Sequence, residues 1–212
     1  YRLEVLGIYI FLLLFLYYLK TRRFRNLVVC LSCLLCLGIY HTVMRWYDRP
    51  CPSLVFYNVR GCPAIHCIAE DGTSWLNYAD TLSDKRRLQA VAANYWRRHQ
   101  LLPPIEVTAD CQNVDFCRHQ QIVFYHGCRI CMVTDNRWRN KSAASPLFIN
   151  YMYLCKGYNG RLEELTGLFS PSCILLDASL SDDRKQFFRE ECKRLHLHFI
   201  TLSEEGSVRF LL

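Results

Sequence analysis

The chain has 212 residues, 51% hydrophobic, 14% aromatic and 21% charged, with thirteen cysteines and a formal net charge of +7. Nine glycines and seven prolines exclude collagen-like and proline-rich chains, and the apolar share excludes a wholly disordered one. The length fits one ordinary domain, or a modest domain with an appendage.

In chain order, Val5 to Leu19 and then Leu27 to Met44 carry no Asp, Glu, Lys or Arg. A membrane-spanning helix takes about 20 apolar residues, with a lower bound near 17. The second run reaches that length, and the first does so with Tyr1 to Glu4 at the interface. Neither run shows a polar face, as a helix in a soluble core would. Residues 1–48 are therefore predicted to form a transmembrane helical hairpin. Because the chain opens on Tyr1 almost directly into an apolar run, the hairpin is expected to end a longer polytopic region. Lys20, Arg22, Arg23 and Arg25 lie between the runs without an acid. The positive-inside rule places such a connection in the cytoplasm. Residues beyond Met44 then emerge outside, with Tyr40, Trp46 and Tyr47 as an interfacial belt. Arg2, Arg45 and Arg49 at the opposite ends reduce the bias to four against three. Cys30, Cys33 and Cys36 fall three apart in the second run, on a stripe suited to packing against neighbouring helices.

Residues 49–53 read as a linker and 54–212 as a domain. Leu54–Val59 and Ala64–Ala69 are β-rich runs divided by Arg60-Gly-Cys-Pro63, the pattern of a hairpin. Ser74–Tyr78 gives a third strand after the Asp71-Gly72 turn. Asp84–His99 has helical spacing at Leu88, Val91, Ala92, Tyr95 and Trp96. Further strands are expected at 105–107, 121–125, 129–133 and 148–154, with His126-Gly127 as a tight turn. A short helix over 161–169, a buried strand over 173–177, a helix over 182–195 capped by Ser181 or Asp182, and strands at 198–202 and 208–212 complete the order. The class is α/β with a mixed sheet.

This serial order carries a family resemblance. The strand entering Asn58-Val-Arg-Gly61, then Ala64-Ile-His-Cys-Ile68 and Trp75-Leu76, resembles the opening of the C-terminal, metallo-β-lactamase-like domain of ComEC proteins. Gly127-Cys-Arg-Ile-Cys-Met-Val-Thr-Asp135 resembles that family's strand ending in Thr-Gly-Asp. Asn150-Tyr-Met-Tyr-Leu-Cys-Lys-Gly157-Tyr-Asn-Gly160 resembles its later strand and loop, which usually carry a His-His pair. The resemblance implies a polytopic protein of the bacterial inner membrane that imports single-stranded DNA in natural transformation. It also implies contact with the lipid bilayer, with the upstream membrane region and with other DNA-uptake proteins.

The departures bear on chemistry. Active members carry a His-x-His-x-Asp-His loop that binds metal and activates water, and this chain has none. Gly157-Tyr158 stand in place of the later His-His pair. Asp135 alone keeps a ligand-like position, and one carboxylate cannot hold a hydrolytic metal pair. The domain is therefore expected to lack metal ligands, a cofactor and enzymatic activity, and to lie outside the cytoplasm. Two alternatives stay open: a divergent metal-dependent nuclease using Asp135 with Cys and His ligands, and a structural membrane-anchored interaction domain.

Cys111, Cys117, His119, His126, Cys128 and Cys131 are the densest Cys/His group, but Cys128 and Cys131 fall on opposite faces of a strand. Cys62, His66 and Cys67 lack an orienting third residue for a thiol nucleophile. His196 and His198 could share a strand face. The ten cysteines from Cys51 onward suit either disulfides or buried apolar positions. Arg137-Trp-Arg-Asn-Lys141 is the strongest nucleic-acid candidate: Arg137, Arg139 and Lys141 neutralise phosphates while Trp138 stacks on a base. Lys85, Arg86, Arg87, Arg97 and Arg98 read as the solvated face of their helix.

Overall fold

A computed structural model describes residues 2–47, 51–78, 85–99, 101–113 and 115–212, with only the backbone at 2–4 and 44–47. The linker residues 48–50 and the side chains of Trp46 and Tyr47 lie outside the described residues. The chain divides into two compact units, 1–49 and 50–212.

The first unit is a pair of helices, α1 (Arg2–Thr21) and α2 (Phe24–Tyr47). Arg22, with φ +47°, turns the chain between them. Gly7 lets α1 approach Leu37 of α2, since a Cβ there would lie 2.3 Å from the leucine side chain. One stretch, Phe24–Val43, is long and apolar enough to cross a membrane, and the other apolar stretch, Val5–Thr21, is shorter. The expectation of two spans thus reduces to one helix that meets the length. Cys30 is buried between the helices, Cys33 is half-buried and Cys36 is exposed. A three-residue step turns about 300° on a helix of 3.6 residues per turn, so the three thiols spread over a broad arc that runs from the buried Cys30 to the exposed Cys36.

The second unit holds two sheets rather than one. The first has the order β12-β1-β2-β3-β4, from Val208–Leu211, Ser53–Phe56, Ala64–Ile68, Ser74–Tyr78 and Ile105–Val107. The second has the order β11-β10-β9-β8-β7-β6-β5, from Phe199–Thr201, Phe169–Leu176, Leu147–Leu154, Cys128–Val133, Ile122–Tyr125, Phe116–His119 and Cys111–Gln112. Strand alternation sends one set of side chains between the sheets and the other outward. Leu54, Phe56, Ile65, Cys67 and Trp75 of the first sheet meet Ile130, Met132, Tyr153 and Leu175 of the second in one core. The outer face of the first sheet carries Val55, Ile68, Leu76 and Tyr78 under Leu88 and Ala92 of α3 (Lys85–Arg98). The outer face of the second carries Ile149, Met152, Leu154, Ile174 and Leu176 under α4 (Leu162–Thr166) and α5 (Asp182–Arg194). The layers run helix, sheet, sheet, helices.

The predicted hairpin β1–β2 is antiparallel and in register. His126 (φ +44°) and Gly127 (φ +77°) form the two-residue turn between β7 and β8, the left-handed pair that such hairpins require. Ser181 caps α5 by accepting from Arg184 N–H. Other expectations shift. The helix expected over 161–169 spans only Leu162–Thr166, and β10 starts at Phe169. β5 and β6 were not foreseen, and a short α6 (Leu202–Glu205) follows β11 where strand was expected to continue.

Candidate functional site

Strands β8, β9, β10 and β11 are mutually parallel, with Val133, Leu154 and Leu176 in one row. The loops leaving that row share one edge of the sandwich, the place where open α/β sheets bind ligands. Three short stretches meet there: Thr134–Lys141, Cys155–Gly160 and Asp177–Leu180. Gly157 (φ +116°) passes so close to β8 that a Cβ would lie 2.2 Å from the Thr134 carbonyl oxygen. Asn159 N–H donates to Asn136 Oδ1 at 2.9 Å, tying the two loops together. Arg184 of α5 donates to the Gly160 and Tyr158 carbonyls at 3.0 and 3.3 Å from beneath.

Asp135 sits at the end of β8, as its position after the strand predicts. Arg137 holds both its oxygens: Nε lies 3.0 Å from Oδ1 and from Oδ2, and Nη2 lies 2.8 Å from Oδ2. Arg137 N–H adds a bond of 3.0 Å to Oδ1. Partial burial alone raises this carboxyl. The bonds from Arg137, with one from Gln121, outweigh that and leave it below the usual carboxylate range.

Beside Asp135 opens a cavity of about 200 Å³ lined by Thr108, Asp110, Arg118, Gln121, Thr134 and Arg137, among others. Its floor is a polar network that sequence reading missed. Gln121, 6% exposed, donates to Thr134 Oγ1 and accepts from Trp138 Nε1, both at 2.6 Å. Arg118 reaches from β6 across to the other sheet, donating to Asn77 Oδ1 at 2.5 Å and the Val107 carbonyl at 2.9 Å. The only signal for Arg118 was its two-residue spacing from Phe116, which places both on the inward face.

The basic-aromatic stretch is built rather than open. Trp138 is half-buried, packs edge-on against Phe169 at 5.0 Å and carries Lys141 Nζ 5.2 Å from its ring centre. Arg139 pairs with Glu164 at 3.3 Å. Arg137, Arg139 and Lys141 are exposed. Tyr158, where the resembling family carries histidine, is 1% exposed, stacks on Phe188 and donates to the Arg161 carbonyl at 2.7 Å.

The Cys/His expectations disperse. Cys128 packs on the inter-sheet core and Cys131 on the opposite face, as their spacing requires. His119 pairs with Asp110 at 3.2 Å. Cys62 lies on the α3 side and Cys67 between the sheets. His196 (φ +53°) stands in a turn, while His198 Nδ1 lies 3.2 Å from Cys173 Sγ, so the two do not share a strand face. Burial pushes the Cys131 and Cys192 thiols up to about 12 and the Cys173 thiol up to about 11, which keeps them protonated and unreactive. Among the described residues no disulfide joins the cysteines, and no three His, Cys, Asp or Glu side chains gather as a metal-holding group.

A family model described as the ComEC C-terminal domain matches residues 54–212. The chain belongs to the ComEC family. Neither the curated proteins nor the solved structures give a match. ComEC proteins are membrane proteins of competence, where DNA is the substrate, so the second unit of this chain is the C-terminal domain of a DNA-uptake protein. The Thr134–Lys141 and Cys155–Gly160 loops, which the ComEC resemblance marked as the place for metal ligands, are the loops that meet at its edge. At the positions where the resembling family carries metal ligands, Asp135 is ion-paired with Arg137 and Tyr158 is turned into the core.

Proposed function

We propose that this ComEC chain imports single-stranded DNA in natural transformation and that its C-terminal domain guides the strand without cutting it. The domain is then a metallo-β-lactamase-like fold whose metal centre has been replaced by an ion pair. The observation that carries this reading is the two-pronged grip of Arg137 on Asp135, a permanent positive charge where a hydrolase would hold its metal. The two facing sheets with helices outside them support the fold assignment. The reading includes a multi-pass protein of the bacterial inner membrane, with residues 1–48 closing its upstream membrane region, 49–53 as linker and 54–212 outside the cytoplasm. It also includes contacts with other DNA-uptake proteins.

DNA contact is assigned to the rim formed by Arg137, Trp138, Arg139 and Lys141. Arg139 and Lys141 are the residues to vary, because both are exposed and neither supports the core. The double substitution Arg139→Gln/Lys141→Gln in the full chain is expected to weaken binding of a single-stranded oligonucleotide several-fold. It should also lower the salt dependence by about one to two ions. Transformation efficiency should fall with it. Unchanged affinity, salt slope and transformation would remove DNA contact from this rim.

One observation favours a second reading, a membrane-anchored interaction domain: Trp138 is committed to Phe169 and Gln121 and presents little free ring for a base. The same double variant separates the two, since an interaction domain would keep its DNA affinity.

A further inference from the structure

Helix α3 carries more than a solvated face. From Lys85 to His99 there are five basic residues and no acid, while the whole of 54–212 holds nineteen basic against seventeen acidic. The rest of the domain is thus left with fourteen basic against seventeen acidic, so the net positive charge of the domain comes from this helix. Lys85 is paired with Glu106 at 2.5 Å. Arg86, Arg97 and Arg98 are exposed and have no ion-pair or hydrogen-bond partner among the described residues. Arg209 stands exposed on the same outer face, because its register partner Val55 packs under α3.

Apolar groups sit among these cations. Val91 is 55% exposed, and beside the helix Leu102 is 54% and Ile105 55% exposed. Trp96, Leu101 and Leu102 line a groove of about 520 Å³ with Arg97 at its rim. Arginines beside exposed aliphatic groups, Val91 on the helix and Leu102 and Ile105 next to it, give this face the mixed cationic and apolar character of a surface that rests in a lipid interface. A face that holds single strands by stacking would instead offer exposed rings, and here Trp96 is half-buried with its indole N–H donated to Tyr57 at 2.9 Å.

We infer that α3 and the adjoining Leu102–Ile105 edge dock the domain on an anionic phospholipid surface. The occupant follows from charge complementarity and from the chain itself. Residues 48–52 link β1 directly to α2, whose Phe24–Val43 stretch is long and apolar enough to cross a membrane. The inference rests on the membrane anchoring of the family and not on DNA contact at Arg139 and Lys141, so either can fail alone.

The test uses the full chain in nanodiscs of phosphatidylcholine alone, or of phosphatidylcholine mixed with phosphatidylglycerol. Amide hydrogen exchange over residues 85–98 is expected to be roughly tenfold slower with the anionic lipid. The variant Arg86→Gln/Arg97→Gln/Arg98→Gln should lose that difference while exchange in β9 stays unchanged. Should the variant disturb β9, salt replaces it. At 1 M, where screening shortens to about 3 Å, the wild-type exchange should return to its value in neutral lipid. Equal exchange in both lipids at low salt overturns the inference. So does slowing that appears only when single-stranded DNA is added, which would assign the face to nucleic acid.

Discussion

Replacing Gly157 by alanine is expected to destabilise the C-terminal domain by about 3 kcal/mol, a fall in melting temperature on the order of 10 °C for a domain of this size. Two costs combine. The residue has φ +116°, a backbone region that alanine rarely enters, and its Cβ would stand 2.2 Å from the Thr134 carbonyl oxygen. That oxygen belongs to backbone at the end of β8, so it cannot swing aside as a side-chain tip would. Relief requires the Cys155–Gly160 loop to lift, breaking the Asn159–Asn136 bond and the support from Arg184. The control is Gly127→Asn, because Gly127 has open space around its Cβ position and sits in a turn that accepts asparagine. Its cost should stay below about 1 kcal/mol. Thermal unfolding of the purified chain followed by near-ultraviolet circular dichroism gives both values. Equal losses for the two variants would mean that the approach of Gly157 to Thr134 does not hold the loops together.

The second large effect concerns pH. His66 is fully buried beneath α3, where Trp96 Nε1–H donates to Tyr57 Oη and Tyr57 Oη shares a hydrogen bond of 2.8 Å with His66 Nδ1. Nε2 of the imidazole is buried without a partner among the described residues. Burial pushes the His66 pKa down to about 3, against about 6.5 in an unfolded chain. Between those values the unfolded state binds the proton and the folded state does not. Stability from this residue is therefore complete above pH 6.5 and is lost as pH falls from 6.5 toward 3. The slope is at most about 1.4 kcal/mol per pH unit. His66→Gln keeps an acceptor for Tyr57 and removes the titration. Its unfolding free energy should be lower near neutrality, from imperfect packing, and should fall less steeply through this window. Parallel curves for the two proteins would show that His66 does not set the acid limit.

Much of this architecture was legible in the chain. The β-rich runs at Leu54–Val59 and Ala64–Ala69, with a glycine turn between, identified β1 and β2, and His126-Gly127 identified the β7–β8 turn. Asp135 was legible through the resemblance of Gly127–Asp135 to the ComEC strand that ends in Thr-Gly-Asp. The division into two sheets was not, since alternation says that a strand has an inner face but not which sheet it joins. β10 began earlier than expected because Pro171, which usually ends or edges a strand, lies within it beside Ile149. β5 has two residues, too few for any period to register. The network around the cavity was hidden for a related reason. Asn77 and Arg118 are polar side chains on inward faces, where pattern reading expects apolar ones, and they are stable there because each satisfies the other across the two sheets. The character of Trp138 was equally invisible, as its partners Gln121 and Phe169 lie 17 and 31 positions away along the chain.

The proposed replacement of a catalytic metal by the Arg137–Asp135 ion pair is tested most directly by the metal content of the purified full chain, together with cleavage of single-stranded DNA in the presence of manganese or zinc. The expected result is no stoichiometric metal, no cleavage above background, and no gain of either in Arg137→Ala, since one freed carboxylate cannot bind a hydrolytic pair. One or two equivalents of metal per chain, with cleavage abolished by Asp135→Asn, would contradict the account.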